Sequence, residues 1–257
     1  MMAPAESWNL HFRMGDVMRT LSLFTSVLAL VLALSPAEAQ FSRRGVAEPR
    51  LVVFGDVVLS KPKGEFADYV DQGYGFNAGA MFRLDRGGML GLRAEIGVLQ
   101  YGRERMPVAF DFSGRLSADV VTTNTIGWLS AGPQLTFPTG AVRPYANVAW
   151  AVTNFRTTSS IEDRQTRENF ATTENASDFS SAVVFGGGLY IPIGGRASTA
   201  MLTVGGKYYY GGEATYLPEG GIEDNPDGSI TLHPARTKTD FVIWQLGVSV
   251  GIRSRRR

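Results

Sequence analysis

The segment from Asp240 to Ile252 constrains the fold of this chain more than any other feature. One set of alternate positions is large and apolar: Val242, Trp244, Leu246, Val248, Val250 and Ile252. The positions between them are mostly small or polar: Ile243, Gln245, Gly247, Ser249 and Gly251. Successive side chains of a β-strand point to opposite faces. The alternation therefore predicts a strand with one continuous apolar face.

Seven further segments show a weaker form of the same alternation. Together with the last one, they predict eight strands near residues 50–59, 73–84, 89–101, 121–137, 142–156, 178–192, 199–211 and 239–252. The first strand is the least regular, because residues 51–54 and 57–59 are apolar on both faces.

The connections between these segments differ sharply in length. Short turns rich in Gly, Pro and Asp are expected at 85–88, 138–141 and 193–197. Long polar loops are expected at 60–72, 102–120, 157–177 and 212–238. Short turns on one rim and long loops on the other are typical of an outer-membrane barrel with periplasmic turns. An even number of strands would also place both termini on the periplasmic rim.

The first 39 residues have the pattern of a secretory signal peptide. Arg19 precedes an apolar run from Leu21 to Leu34, which is too short for a helix that spans a bilayer. An A-x-A cleavage site ends at Ala39. We therefore predict removal of residues 1–39 and a single barrel domain over 40–257, flanked by short periplasmic tails at 40–49 and 253–257.

The face opposite the apolar one distinguishes a membrane barrel from a soluble β-barrel, which is the alternative. It carries mainly Gly, Ala and Ser with isolated charges, which suit the narrow lumen of eight strands better than a watery surface. Aromatic residues near the strand ends fit interfacial girdles: Tyr74, Phe82, Phe137, Phe179, Tyr208, Tyr210 and Trp244. The predicted fold is all-β, an eight-stranded antiparallel transmembrane β-barrel with long extracellular loops.

This pattern of signal peptide, eight strands, Gly-rich turns and four long loops resembles the small outer-membrane barrels typified by OmpA and OmpX. The resemblance covers most of residues 50–252 and depends on the pattern rather than on a specific motif. It implies folding by the outer-membrane assembly machinery. It also implies contact with outer-membrane lipid and lipopolysaccharide.

The charged residues of the predicted lumen face form the main candidate site. Buried charges need partners, so we expect a salt-bridged, hydrogen-bonded plug. Its predicted members are Asp56, Arg83, Arg93, Glu95, Gln134, Arg143 and Lys207, with Tyr145 beside them. The alternative is a polar conduction path that opens when these pairs rearrange.

The composition argues against several other functions. The 25 basic residues nearly balance the 24 acidic ones, which disfavours nucleic-acid binding. The chain has no cysteine, and its only histidine after the signal segment is His233, which shares a loop with Asp227 and Ser229. We therefore expect no catalytic, cofactor or metal site. The oxygen-rich segment 224–228 lacks the spacing of a calcium loop.

The expected function is non-enzymatic, with a structural, envelope-integrity or adhesin-like role. A surface ligand would bind through the long loops 60–72, 102–120, 157–177 and 212–238. A narrow or gated pore for small solutes is the alternative. A barrel enzyme that modifies lipid A is a weaker one, because histidine is nearly absent.

The barrel assignment predicts heat-modifiable migration on a gel of the membrane fraction. A closed barrel that stays folded in cold detergent should migrate differently after boiling, because boiling unfolds it. Identical migration before and after boiling, with the protein in the soluble fraction, would contradict the assignment.

Overall fold

The structure is a computed structural model that describes residues 49–85, 87–109, 117–137, 142–163, 169–193, 199–218, 220–225 and 230–252. The predicted signal peptide, most of the first tail and the tail 253–257 lie outside these residues. Nearly all regular structure is antiparallel β. Over the described residues, no helix has the length and apolarity needed to cross a membrane.

Eight strands close into a barrel. They are β1 (Leu51–Pro62), β2 (Gly73–Arg83), β3 (Leu90–Ala109), β4 (Ser117–Thr136), β5 (Arg143–Asp163), β6 (Asn169–Pro192), β7 (Ala200–Gly211) and β12 (Phe241–Ile252). Each strand pairs with its sequence neighbour, and β12 pairs with both β7 and β1. The closing pair runs from Leu51 opposite Ile252 to Pro62 opposite Phe241. The prediction of an eight-stranded antiparallel barrel is confirmed.

The polarity of this barrel is the reverse of that in a soluble protein. Large apolar side chains point outwards, and Ile96 and Trp150 are 63% and 61% exposed. Charged side chains point inwards, and Arg93 and Lys207 are each 3% exposed. An outer surface of this kind is stable in lipid, where the closed ring leaves no strand edge without hydrogen bonds.

Three strands, β3, β5 and β6, are much longer than predicted, and β4 begins four residues earlier than predicted. β3 to β6 contain 20, 20, 21 and 24 residues, whereas β1, β2, β7 and β12 contain 11 or 12. The prediction that 102–120 and 157–177 are loops is therefore wrong for most of both ranges. Residues 110–116 and 164–168 lie outside the described part of the chain. The additional residues of β3–β6 form a four-stranded sheet, called the extension below.

The alternation of apolar and polar residues did not predict the extension, because polar side chains occupy both of its faces. Residues 157–160 read Thr-Thr-Ser-Ser, and 172–175 read Thr-Thr-Glu-Asn. Thr favours an extended backbone, and cross-strand contacts such as the 2.9 Å hydrogen bond between the Thr122 and Ser159 hydroxyls join the strands. Register shifts near Gly102 and Thr158 separate the extension from the barrel wall.

The other two predicted loops also contain regular structure. Within 60–72, β1 continues to Pro62 and a 3-10 helix covers Gly64–Asp68. Within 212–238, β8 (Glu213–Tyr216) pairs with β11 (Ala235–Lys238), and β9 (Ile222–Asp224) pairs with β10 (Ile230–Leu232). This nested pair of hairpins stands on the same rim as the extension, because it connects the ends of β7 and β12 there.

The short turn between β2 and β3 shows how the opposite rim is closed. Asp85 Oδ1 accepts a 2.8 Å hydrogen bond from the Leu90 N–H, and Oδ2 accepts one from the Met89 N–H. These bonds lower the pKa of the Asp85 carboxyl, because they stabilise its charged form. Gly88 has a φ of 73°, a left-handed conformation that favours glycine.

Glycines on the lumen face provide room for large side chains from neighbouring strands. A Cβ at Gly97 would overlap the Trp128 ring, and one at Gly79 would overlap the Phe54 ring. A Cβ at Gly205 would lie 2.5 Å from the Tyr145 hydroxyl. The small residues of the alternation therefore pair with bulky ones across the narrow lumen.

We expect Gly97→Ala to destabilise the barrel by about 1–3 kcal/mol, because the new methyl group overlaps the buried Trp128 ring. Gly127→Ala is the matched control, since its Cβ would point outwards and meet nothing closer than 3.9 Å. Urea unfolding in detergent micelles would measure both variants. Equal unfolding midpoints for the two would contradict the packing described for Gly97.

Candidate functional site in the barrel lumen

A salt bridge spans the full width of the lumen. Glu95 is on β3 and Lys207 is on β7, which are opposite each other in the ring of eight strands. Lys207 Nζ lies 2.5 Å from both carboxylate oxygens of Glu95, and both side chains are almost fully buried. This bridge joins opposite walls of the barrel and divides its cross-section into two halves.

Arg93 connects the bridge to the half of the lumen formed by β4, β5 and β6. Its Nε donates to Glu95 at 3.0 Å, and its Nη1 donates to Gln134 Oε1 and to the Tyr190 hydroxyl, both at 3.2 Å. Its guanidinium carbon lies 3.7 Å from the centre of the Phe54 ring, a cation–π contact. Arg93 is thus held by partners on several strands.

Two tyrosines complete this half. Tyr145 and Tyr190 stack with ring centres 4.6 Å apart. Gln134 Nε2 donates to the Tyr190 hydroxyl at 3.1 Å, and Gln245 Nε2 donates to the Tyr145 hydroxyl at 2.9 Å. Because Gln245 comes from β12 and Tyr145 from β5, this bond is a further link between strands that are not neighbours.

The structure places all seven predicted lumen residues in the interior. It brings Arg93, Glu95, Gln134 and Lys207 into one bonded network. We call these four residues together with Asp56 the polar tier. Asp56 is buried in the opposite half of the lumen, on β1. The other two residues lie nearer the short-turn rim, where Arg83 is opposite Gly91 and Arg143 is opposite Tyr190.

Apolar layers lie on both sides of the polar tier. Towards the short turns, Val52, Met81 and Met201 are buried against the tyrosine pair. Towards the extension, Tyr209 stacks on Phe241 at 4.5 Å, and Trp128 meets Tyr209 edge to face at 6.0 Å. The charges of the polar tier therefore occupy the middle of the lumen.

An aromatic plug made of Phe66, Tyr101, Phe155 and Tyr216 covers the long-loop end of the lumen. Phe66 comes from the 3-10 helix and is 1% exposed. It meets Tyr216, Phe155 and Tyr101 edge to face at 5.1, 5.9 and 6.2 Å. Burial raises the pKa of the Tyr216 phenol, whose hydroxyl lies 3.1 Å from that of Thr237.

Backbone contacts hold the plug in place. The Lys63 N–H donates to the Asp240 carbonyl at 2.8 Å, and the Lys238 N–H donates to Glu65 at 3.4 Å. The Thr215 N–H donates to Asp178 on β6 at 2.7 Å. These bonds tie the first and last long-loop segments to each other and to the barrel wall.

Sequence reasoning placed Tyr145 beside the lumen charges, but it missed the plug and the other two lumen tyrosines, Tyr190 and Tyr209. Tyr209 was detectable, because Tyr208 and Tyr210 point outwards and a strand alternates. Phe155 and Phe241 likewise occupy the alternate positions of their strands that face the lumen. Phe66 and Tyr216 had no such signal, since they lie in segments without a strand-like period and are buried only by tertiary contacts.

The residues considered for catalysis are not assembled into a site in the part of the chain that the structure describes. His233 lies exposed on the long-loop side, and Asp227 and Ser229 fall outside the described residues. Among the described residues, no group of three or more acidic or histidine side chains is placed to hold a metal ion. The lumen contacts consist of salt bridges, hydrogen bonds and ring packing.

A closed ring of eight strands, an apolar outer surface and a cross-linked polar lumen define an eight-stranded transmembrane β-barrel. Several solved structures are similar to this chain. Neisserial surface protein A is 12% identical, with a TM-score of 0.45, and the match covers 80% of this chain and 100% of that one.

Two other solved structures match over similar lengths. Ail, the attachment invasion locus protein of Yersinia pestis, is 14% identical with a TM-score of 0.41, over 79% of this chain and 98% of that one. A major outer membrane protein from Thermus thermophilus is 14% identical with a TM-score of 0.43, over 77% and 98%. No family model and no curated protein matches the sequence.

We expect Glu95→Gln to destabilise the barrel by about 3–5 kcal/mol, because it leaves Arg93 and Lys207 buried without their shared counter-charge. Glu174→Gln, which breaks an exposed 3.2 Å pair with Arg156, is the control and should cost no more than about 1 kcal/mol. The measurement is the urea unfolding midpoint in detergent. A similar shift for both variants would show that the bridge across the lumen contributes little to stability.

Proposed function

We propose that this protein is a non-enzymatic barrel of the outer membrane that holds an interaction surface outside the cell. Its role would be adhesin-like or structural, in support of envelope integrity. The signal peptide, the periplasmic termini, the assembly machinery, and contact with lipid and lipopolysaccharide belong to the same proposal. It is supported by secretion-type sequence features together with the lipid-compatible outer face.

The length of the extension is the observation that carries this proposal. A tilted membrane strand needs about 9–11 residues, and β1, β2, β7 and β12 have 11 or 12. The 20 to 24 residues of β3–β6 exceed that need by about ten, or roughly 30 Å at about 3.3 Å per residue. Spanning the membrane does not require this additional sheet, so its sequence serves another purpose.

The chemistry of the extension suits contact with water and with other surfaces. Three of its strands, β4 to β6, carry Thr, Ser or Asn, and its part of β3 carries three consecutive charged residues. Arg105 forms ion pairs with Glu162 at 2.9 Å and Asp119 at 3.6 Å. Glu104 accepts a hydrogen bond from the Gly220 N–H, which joins the extension to the segment between β8 and β9. These contacts would make the surface rigid before any partner binds, which reduces the entropy lost on binding.

The absence of cysteine from the chain allows a direct test of the topology. Arg156→Cys would place a thiol at the base of the extension, and Met89→Cys would place one at the short-turn rim. A membrane-impermeant maleimide should label the first on intact cells and the second only after permeabilisation. Labelling of Met89→Cys but not Arg156→Cys on intact cells would reverse the proposed orientation.

A shortened barrel tests the interaction role. Residues 104–122 and 158–175 would each be replaced by a two-residue turn, so that β3–β6 approach the length of the other strands. The shortened barrel should remain heat-modifiable, whereas attachment of the cells to an immobilised extracellular-matrix protein should fall to that of cells lacking the protein. Undiminished attachment with a folded, surface-located barrel would contradict the proposed role of the extension.

A narrow pore is the second candidate, and the charged side chains of the polar tier favour it. The Glu95–Lys207 bridge and the aromatic plug oppose it, because both cross the lumen. Planar-bilayer recordings distinguish the two functions. The proposed function predicts no steady current from the wild-type protein, whereas reproducible steady conductance would support the pore.

A further inference from the structure

The half of the lumen bounded by β12, β1 and β2 contains polar groups that the protein itself does not satisfy. Asp56 is 4% exposed, and neither of its carboxylate oxygens has a hydrogen-bond partner among the described protein groups. Both polar atoms of Asn77 and the Oε1 of Gln245 are also buried without a protein partner. An unsatisfied buried carboxylate is costly, so this cluster requires an explanation.

These groups face the same region of the lumen. Asn77 is directly opposite Asp56 on β2, and Gly247 is directly opposite it on β12. Gln245 is two residues from Gly247 on the same face of β12, next to Asp56 on the diagonal. A Cβ at Gly247 would overlap Asp56 Oδ1. The glycine therefore leaves room for the carboxylate.

The surrounding side chains bound this region. On the inward face of β1, Phe54 lies on the short-turn side of Asp56 and Val58 on the other, and both are buried. The third boundary is the salt bridge across the lumen. From that side, Arg93 presents Nη2, a buried donor that also lacks a protein partner. We call the region between these groups the Asp56 chamber.

We propose that the Asp56 chamber binds a small cluster of ordered water molecules that link Asp56, Asn77 and Gln245 to Arg93. The chamber contains both kinds of unsatisfied group. Asp56 and the side-chain oxygens of Asn77 and Gln245 are acceptors, whereas Asn77 Nδ2 and Arg93 Nη2 are donors. Water donates two hydrogen bonds and accepts two, and buried waters typically make about three. It can therefore satisfy both kinds.

The alternative ligand for a cluster of oxygens is a hard cation such as Na⁺ or Ca²⁺. Two features disfavour it. Within the polar tier, Asp56 and Glu95 already balance Arg93 and Lys207, so an added cation would leave the tier with net positive charge. A cation would also leave the donors of Asn77 and Arg93 unsatisfied. The charges and the donors both favour water.

The test combines crystallography with NMR on the full barrel. Crystals grown from lipid with rubidium chloride should show at least one water about 2.7–3.2 Å from an Asp56 oxygen, and no anomalous rubidium peak nearby. In lipid nanodiscs, the backbone amides of Asp56, Asn77 and Gly247 should show cross-relaxation with slowly exchanging water. Their lumen position predicts this signal, which lipid-facing amides such as that of Val57 should lack.

Two variants at Asp56 make the result decisive. Asp56→Asn keeps the shape and polarity of the side chain and should retain the water signals. Asp56→Leu replaces the carboxylate with an apolar group of similar size and should abolish them. If Asp56→Leu fails to fold, the wild type and Asp56→Asn decide the question. A chamber without water, a direct protein hydrogen bond to Asp56, or a rubidium peak beside it would each overturn the proposal.

Discussion

Closure of the strand ring is the constraint on which the rest of this structure depends. In lipid, every backbone amide and carbonyl must find a partner within the protein. The pairing of β1 with β12 over twelve residue pairs meets this requirement, because it leaves the membrane-spanning part of the sheet without an edge. Closing a ring of only eight strands also leaves a lumen so narrow that side chains from opposite walls meet.

The narrow lumen explains the composition of its lining. A large side chain fits only where a neighbouring strand offers glycine, as Gly97 does for Trp128 and Gly205 for Tyr145. A charge is tolerated only where another charge can reach it, as Lys207 reaches Glu95 from the opposite wall. The same bonds that satisfy buried groups also join distant strands. The narrowness of the lumen therefore explains both the dense packing of its side chains and the bonds that close it.

Above the membrane, this constraint is relaxed and the chain builds a different kind of surface. β3 to β6 continue as a sheet with exposed or partly exposed residues on both faces, apart from a few buried ones such as Asp119 and Val121, so alternation of apolar and polar residues is no longer required. The loop segments do the opposite, because they bury Phe66 and Tyr216 over the lumen. The long-loop end thus combines an exposed sheet with a closed mouth. This arrangement suits contact with a surface better than passage of a solute.

The sequence alone was sufficient to predict the number of membrane strands, their inward and outward faces, and the lumen position of residues such as Arg93 and Lys207. That information is local, because period-two alternation records which side of a strand meets lipid. The length of β3–β6 and the aromatic plug were decided only by tertiary structure. Thr157 and Thr173 become strand residues through pairing with neighbours, and Phe66 becomes buried because remote segments meet above the lumen. No local pattern records contacts of that kind.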